Sequence, residues 1–424
     1  MTKQSSRTVH LVEKIEGEAT LVCRWRNDRI QQANILFPQT RYIEKILKGR
    51  PVLDALAINP RVCGICGHAH LIATVRAIEA CYPKIELTDK AKIVREITLS
   101  LELFQNHIKW LYLTLYPLLG QKCEIDRALE PVRLAAETIA LLAGQYPHNS
   151  YCIPGGVTSS ITPIERYGAL ERIEGLQRRM REHLIDAESE ELSRCESIER
   201  FLRKTGDIPR FVQSLIDMGA AHYGRSFDRF IVWGETKLFE RGKSVATRVT
   251  AALNPGKIVE KPIPNSKALW VEYKGKPYEV GPLARAMVAK VPLIKEAHRR
   301  WGDSVVTRVM ARLCEIPRLL HQVRTLLDRL DPSEAAYIPP PPLPNEAHGV
   351  AFVEAARGSL MHEVHIQEGR IADYRIVTPT QWNLGSGPSQ NPGVAQKALL
   401  GLHRDDPWEL VFKSFDVCSV CTTH

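Results

Sequence analysis

Two Cys-x-x-Cys pairs lie near opposite ends of this 424-residue chain, and each is followed by a histidine. The first runs Arg61-Val-Cys63-Gly-Ile-Cys66-Gly-His-Ala-His70. The second, Asp416-Val-Cys418-Ser-Val-Cys421-Thr-Thr-His424, closes the sequence. Four soft thiolates from two distant segments can enclose one transition metal, and thiolates suit zinc, nickel, copper and iron alike. If the four act together, the last residues join a buried site, where a loose tail is the ordinary expectation. Structural zinc is the simplest tenant of four cysteines. Its pairs normally stand about 15–20 residues apart, whereas here most of the chain separates Cys66 from Cys418.

The surrounding pattern predicts the elements that must hold these pairs. Residues 7–36 read as short alternating strands, with a turn at Asn27-Asp28, and residues 42–47 as a short helix. After Asn59-Pro60 and the first pair, residues 71–81 have helical composition. That sets the pair at a helix N-terminus, where backbone N–H groups and the dipole favour thiolate over thiol. Apolar recurrence at three and four residues predicts three long helical tracts, 89–116, 162–203 and 283–330, the last broken or kinked at Pro292 and Pro317. Residues 206–280 are richer in Pro, Gly and β-branched types and read as a smaller α/β lobe, with strands near 230–233 and 269–273. A proline-rich connector at 339–344 leads to strands near 351–355 and 373–377, and a helix at about 392–402 precedes the second pair. The expected fold is α+β and predominantly helical: a long-helix bundle core with smaller mixed α/β and β lobes. Five segments follow: 1–60, β-rich; 61–205, first Cys motif and helical core; 206–280, the small lobe; 281–338, helical core; 339–424, mixed β and the metal-binding tail.

Composition narrows the function classes. The chain is 44% hydrophobic, enough for a sizeable core, and has a formal charge of +9 with Lys and Arg scattered among Asp and Glu. That is a solvated basic surface rather than a nucleic-acid tract. No apolar stretch reaches the roughly 18–20 residues of a membrane helix, and the N-terminus shows no signal h-region or twin arginine, so the expected location is cytoplasmic. Of ten cysteines, the six outside the pairs read as small buried hydrophobes.

The Arg-x-Cys-Gly-Ile-Cys-x-x-x-His and Asp-x-Cys-x-x-Cys-x-x-His motifs resemble those of the large, catalytic subunit of nickel–iron hydrogenases. Segments between them resemble it too, in order: Lys14-Ile-Glu16-Gly17, Glu44 to Arg50, Pro147-His148-Asn-Ser-Tyr, Gly281-Pro-Leu-Ala-Arg285, Glu354-Ala-Ala-Arg357-Gly-Ser, and Thr378-Pro-Thr380-Gln-Trp-Asn383. The resemblance implies that the two ends of the chain meet at a buried nickel–iron centre. Cys63, Cys66, Cys418 and Cys421 would hold nickel, with Cys66 and Cys421 bridging to an iron that carries carbon monoxide and cyanide. It further implies heterolytic H2 cleavage, with Cys418 as proton acceptor, Arg357 over the open coordination position, Asp416 orienting that guanidinium and Glu16 relaying the proton. Thr380 would donate to a cyanide and His70 to a ligand sulfur, while Glu44 and His424 would hold a second metal, Mg or Fe.

The chain departs from the family at several points. Glu18 stands where His is usual, Ala356 and Val417 where Pro is common, and Leu118 where many members carry an Asp that would pair with Arg357. No further cysteine cluster serves electron transfer, so an iron–sulfur small subunit is the expected partner, with further electron-transfer subunits, H2 as substrate, no nucleic acid and no membrane span. In the family an extension is removed after the final histidine; a matured chain and one made without an extension both fit an end at His424. Alternative readings are an H2-sensing regulatory subunit, a structural zinc protein, and a quinone-binding relative in respiratory NADH dehydrogenase, a lineage that has lost the metal cysteines.

Overall fold

A computed structural model describes residues 4–13, 17–121, 124–234, 245–246 and 252–418. Helices dominate it. Asp89–Lys109 is the central one, started by Thr88, whose hydroxyl accepts from the Ala91 N–H at 3.0 Å. Ile125–Ala143, Pro163–Arg179 and Glu315–Arg329 pack with it into a bundle. The largest apolar cluster draws residues from Ala19 through Val417, so both ends of the chain share one core.

The helical tracts are more broken than their periodicity suggests. The regular helix from Asp89 ends at Lys109, and Trp110–Leu115 widens into a π-helical turn. There the Trp110 indole N–H donates to the Lys413 carbonyl at 3.1 Å, tying the widened turn to the C-terminal segment. The tract expected over 162–203 is regular only to Arg179. It widens over Met180–Leu184, turns extended at Ile185, and resumes as two short helices, Ser189–Ser193 and Ile198–Leu202. The tract over 283–330 is four helices. Pro292 opens one, Gly302 ends it with a positive φ, and Pro317 sits in the first turn of Glu315–Arg329, where a missing N–H costs nothing. Helices Ile125–Ala143 and Asp207–Asp217, the latter inside the segment read as a small α/β lobe, were not evident from the sequence pattern.

Two three-stranded antiparallel meanders flank the helices. Gln4–Glu13, Gly17–Arg26 and Arg29–Leu36 form the first, with Asn27 and Asp28 both at positive φ in its second turn. The second is Glu346–Ala355, Gly358–Gln367 and Arg370–Val377. The first two of its strands pack on helix Gly67–Glu79, the element that starts at the first cysteine pair. No described helix is long and apolar enough to cross a membrane.

Candidate metal centre

Cys63 is extended and follows a 3-10 turn over Asn59–Val62; Cys66 caps helix Gly67–Glu79. Gly67 is needed at that start, because a Cβ there would overlap the Pro60 carbonyl oxygen. The N–H groups of Ile65 and Cys66 both donate to the Cys63 sulfur at 3.4 Å. These donors and the helix N-terminus stabilise negative charge on the sulfurs. Glu102 fixes the helix from below: its two carboxylate oxygens accept from the N–H groups of His68 and Ala69, each at 2.9 Å. Burial pushes its pKa up to about 8, against the lowering effect of those two N–H groups.

The second cysteine motif arrives from helix Trp408–Lys413. Asp416 takes a left-handed conformation, φ +56°, uncommon for a non-glycine residue, and Cys418 is fully buried just beyond it. The sulfurs of Cys63 and Cys418 lie 3.6 Å apart, and those of Cys63, Cys66 and Cys418 all fall within 4.8 Å of one another. No disulfide joins the described cysteines. Thiolates held at about 2.3 Å around one tetrahedral metal stand roughly 3.5–4 Å apart, so the three sulfurs are spaced to share an ion. Cys421, His424 and Glu16 lie outside the described residues.

Beside the sulfurs is a buried charged belt. Arg357 follows the strand ending at Ala355, and its backbone is pressed against Gly281: a Cβ on Gly281 would come within 2.6 Å of the Arg357 carbonyl, and both Gly281 and Gly358 have positive φ. From this seat the Arg357 Nη2 donates to Asp416 Oδ1 at 3.2 Å, its Nε to the Asp416 carbonyl at 3.2 Å, and its Nη1 to Asn106 Oδ1 at 3.3 Å. Asn106 in turn donates to the Ile65 carbonyl, between the two cysteines, at 3.1 Å. Arg312 shares the Asp416 carboxylate and also donates to the Ala356 carbonyl at 3.2 Å. Its guanidinium lies over the Trp110 ring, 4.6 Å from the centroid, and burial holds its pKa below the usual guanidinium range. Leu118, standing where the resemblance leads one to expect an acid, is half-buried at the end of the Tyr116–Leu118 turn. Arg357 is held instead by Asp416 and Asn106.

Sequence reasoning singled out Arg357 and Asp416 but missed Arg312, Asn106 as a ligand to Arg357, and Glu102. Arg312 had a signal: Arg308 and Arg312 recur at four residues within the apolar helix Val305–Leu313, which leaves no solvated face for them. Thr380, in helix Pro379–Leu384, is buried, and its hydroxyl has no hydrogen-bond partner among the described residues. Such an orphan is costly unless something outside the described chain satisfies it, and a ligand that accepts a hydrogen bond would do so. Glu44 accepts from the Ile376 N–H at 2.8 Å, and the His70 Nδ1 meets His362 Nε2 at 3.0 Å one turn beyond Cys66.

The comparisons with known proteins agree with this geometry. The sequence profile of the family described as nickel-dependent hydrogenase matches residues 41–116 and 265–424, more than half of the chain. The chain belongs to the nickel-dependent hydrogenase family. Among curated hydrogenases, it is 24% identical to the coenzyme F420 hydrogenase subunit alpha of Methanothermobacter thermautotrophicus, over 96% of this chain and 92% of that one. It is 22% identical to the periplasmic [NiFeSe] hydrogenase large subunit of Desulfomicrobium baculatum, over 97% and 93%. It is 23% identical to the sulfhydrogenase 1 subunit alpha of Pyrococcus furiosus, over 98% and 97%. The fold matches that of the reduced Ni-Fe-Se hydrogenase from D. vulgaris Hildenborough with a TM-score of 0.81, at 22% identity and over the whole of both chains. The nickel of the family and the clustered buried sulfurs are thus compatible.

Proposed function

We propose that this chain is the catalytic subunit of a nickel–iron hydrogenase, which converts H2 reversibly to two protons and two electrons and passes the electrons to an iron–sulfur small subunit. One observation carries the reading: buried sulfurs from both ends of the sequence, Cys63 and Cys418, stand 3.6 Å apart next to the Arg357–Asp416 pair. Cys63, Cys66 and Cys418, with Cys421 as the fourth, would hold nickel and an iron bearing carbon monoxide and cyanide. When bound, that pair supplies a redox-active Lewis acid able to accept the electron pair of the H–H bond.

The protein's own residues do the rest. The Cys418 thiolate takes the proton as H–H polarises, and the N–H donors around Cys63 keep that neighbouring sulfur anionic. Arg357 keeps a permanent positive charge beside the reacting position, and the two oxygens of Asp416 set the plane of its guanidinium. Glu16 carries the proton onward. The unsatisfied Thr380 hydroxyl would be available to a hydrogen-bond-accepting ligand such as cyanide, and His70 would support a ligand sulfur. Glu44 and His424 would hold a second hard metal, Mg or Fe.

Infrared spectroscopy of the purified protein tests this reading. Bands of metal-bound carbon monoxide and cyanide, with dye reduction under H2, are the expected result. Zinc without nickel on elemental analysis would overturn it; intact bands with negligible dye reduction would shift the function to H2 sensing.

A further inference from the structure

On the outer face of the second meander, far in sequence from the cysteine pairs, His348, His365 and Glu363 converge. His348 and His365 are directly opposite on neighbouring strands, and Glu363 is two residues before His365 on the same face. The two imidazoles stack, with centroids 4.1 Å apart and planes 19° apart. Each turns its Nε2 toward one oxygen, Oε1 of Glu363: His348 at 2.8 Å, His365 at 3.9 Å. We infer that these three side chains form a surface binding site for a divalent cation of the zinc, copper or nickel class.

The distances carry the argument. Imidazole nitrogen and carboxylate oxygen bind zinc at about 2.0–2.2 Å, so ligand atoms around one tetrahedral ion stand roughly 3.4 Å apart. The separations of 2.8 and 3.9 Å bracket that figure. The hydrogen bonding of the cluster serves only one of its two rings. One oxygen is within bonding distance of His348 only, and 3.9 Å to His365 is too long for a hydrogen bond. A single cation between the three atoms satisfies both rings at once. The choice of metal follows from the donors, two imidazoles and a carboxylate, which suit late first-row ions better than magnesium or calcium.

The neighbouring groups brace the site and set its charge. Arg375 Nη1 holds the other oxygen of Glu363 at 3.2 Å, leaving Oε1 aimed at the histidines, while Arg375 Nε pairs with Glu260 at 2.6 Å. With neutral histidines, Glu363, Glu260 and Arg375 together carry one negative charge. Exposed Asp373, directly opposite His365 on the third strand, adds another to that row. The pairing register shifts between His365 and Ile366, an irregularity of the kind that re-aims a side chain. Both histidines are half-exposed, so an ion can enter from solvent and keep a position open for water.

The test is zinc titration of the purified full chain, dialysed against chelator and read by competition with a chromophoric zinc indicator. The wild-type chain should take up one equivalent more than the His348→Ala/His365→Ala double variant, and Glu363→Gln alone should weaken that equivalent at least tenfold. Since the histidines are on the surface, the variants should melt with the wild type in the absence of metal; zinc should raise the wild-type Tm and leave the double variant's increment smaller. Equal zinc uptake and equal zinc-induced Tm shifts in wild type and double variant overturn the site. Nickel and iron content at the cysteines is measured in the same samples, so a lost equivalent there is not mistaken for one here.

Discussion

Two buried ion clusters sit close together in the charged belt, and they are built the opposite way round. In one, a single carboxylate, Asp416, is shared by two guanidiniums, Arg357 and Arg312. In the other, a single guanidinium, Arg285, is shared by two carboxylates: Glu315 in a bidentate pair at 2.8 Å and Glu354 at 3.0 Å. The first cluster carries an excess positive charge and touches the cysteine segments through Asn106 and the residues next to Cys418. The second carries an excess negative charge, and Arg285 also bonds the Ala355 carbonyl at 2.9 Å. The contrast separates two uses of buried charge. A saturated cation among acids fixes the chain, whereas the surplus guanidinium sits on Asp416, two residues before Cys418, where positive charge would favour an anionic sulfur.

The sharpest way to break this comparison is Arg285→Met. It strands two buried carboxylates, so the unfolding free energy should fall by about 3–5 kcal/mol, read as a lower denaturant midpoint at unchanged slope. A loss under ~1 kcal/mol would mean that the second cluster is not structural. Arg357→Lys should do the reverse. Stability and metal content should hold while H2 oxidation drops on the order of 100- to 1000-fold, because an ammonium cannot replace the planar fork. Near-normal turnover would remove Arg357 from the reaction. Arg312→Met probes the shared carboxylate: the Asp416 cluster becomes neutral, and the infrared bands of the iron ligands should shift in this variant while staying in place in Arg285→Met. Identical spectra would erase the distinction drawn here.

The smallest effect is one of pH. Burial pushes the pKa of His107, which hydrogen-bonds Glu315, and of His68 down to about 4. In the unfolded chain both take up a proton near pH 6.5. Their contribution to stability is therefore complete above about 6.5 and is lost as pH falls toward 4, by up to roughly 1.4 kcal/mol per unit for each histidine. Glu315, raised by burial but pulled down to about 2 by Arg285, keeps its charge across that window. Denaturant midpoints measured from pH 7 to 4.5 should decline in the wild type and more gently in His107→Gln; a flat wild-type profile would contradict the buried neutral rings.

The cysteine spacing was legible because thiolate pairs are rare and chemically specific, and Arg357 and Asp416 followed from the motifs around them. Arg312, Asn106 and Glu102 were not, because each lies in a helix where a polar residue ordinarily reads as solvent-facing. Their burial is set by what packs against the helix, which periodicity does not encode. The strands at 17–36 were readable from alternation and the Asn27-Asp28 turn. Gly358–Gln367 was not, because its first half is buried on both faces and its alternation begins only at Glu363. The break after Arg179 escaped for a related reason: the helical pattern continues through residues that tertiary packing pulls out of the helix. The broad expectation of a mostly helical protein with smaller β and mixed parts holds.

The seat of Cys418 is closed by its own neighbours in sequence. Its sulfur is sealed from solvent, Phe415 lies under the Arg308 guanidinium at 3.9 Å, and Asp416 is gripped from two sides. Any route to the space between Cys63 and Cys418 that passes through residues 415–418 would have to break the hold of Arg312 and Arg357 on Asp416 and lift Phe415 from the Arg308 guanidinium.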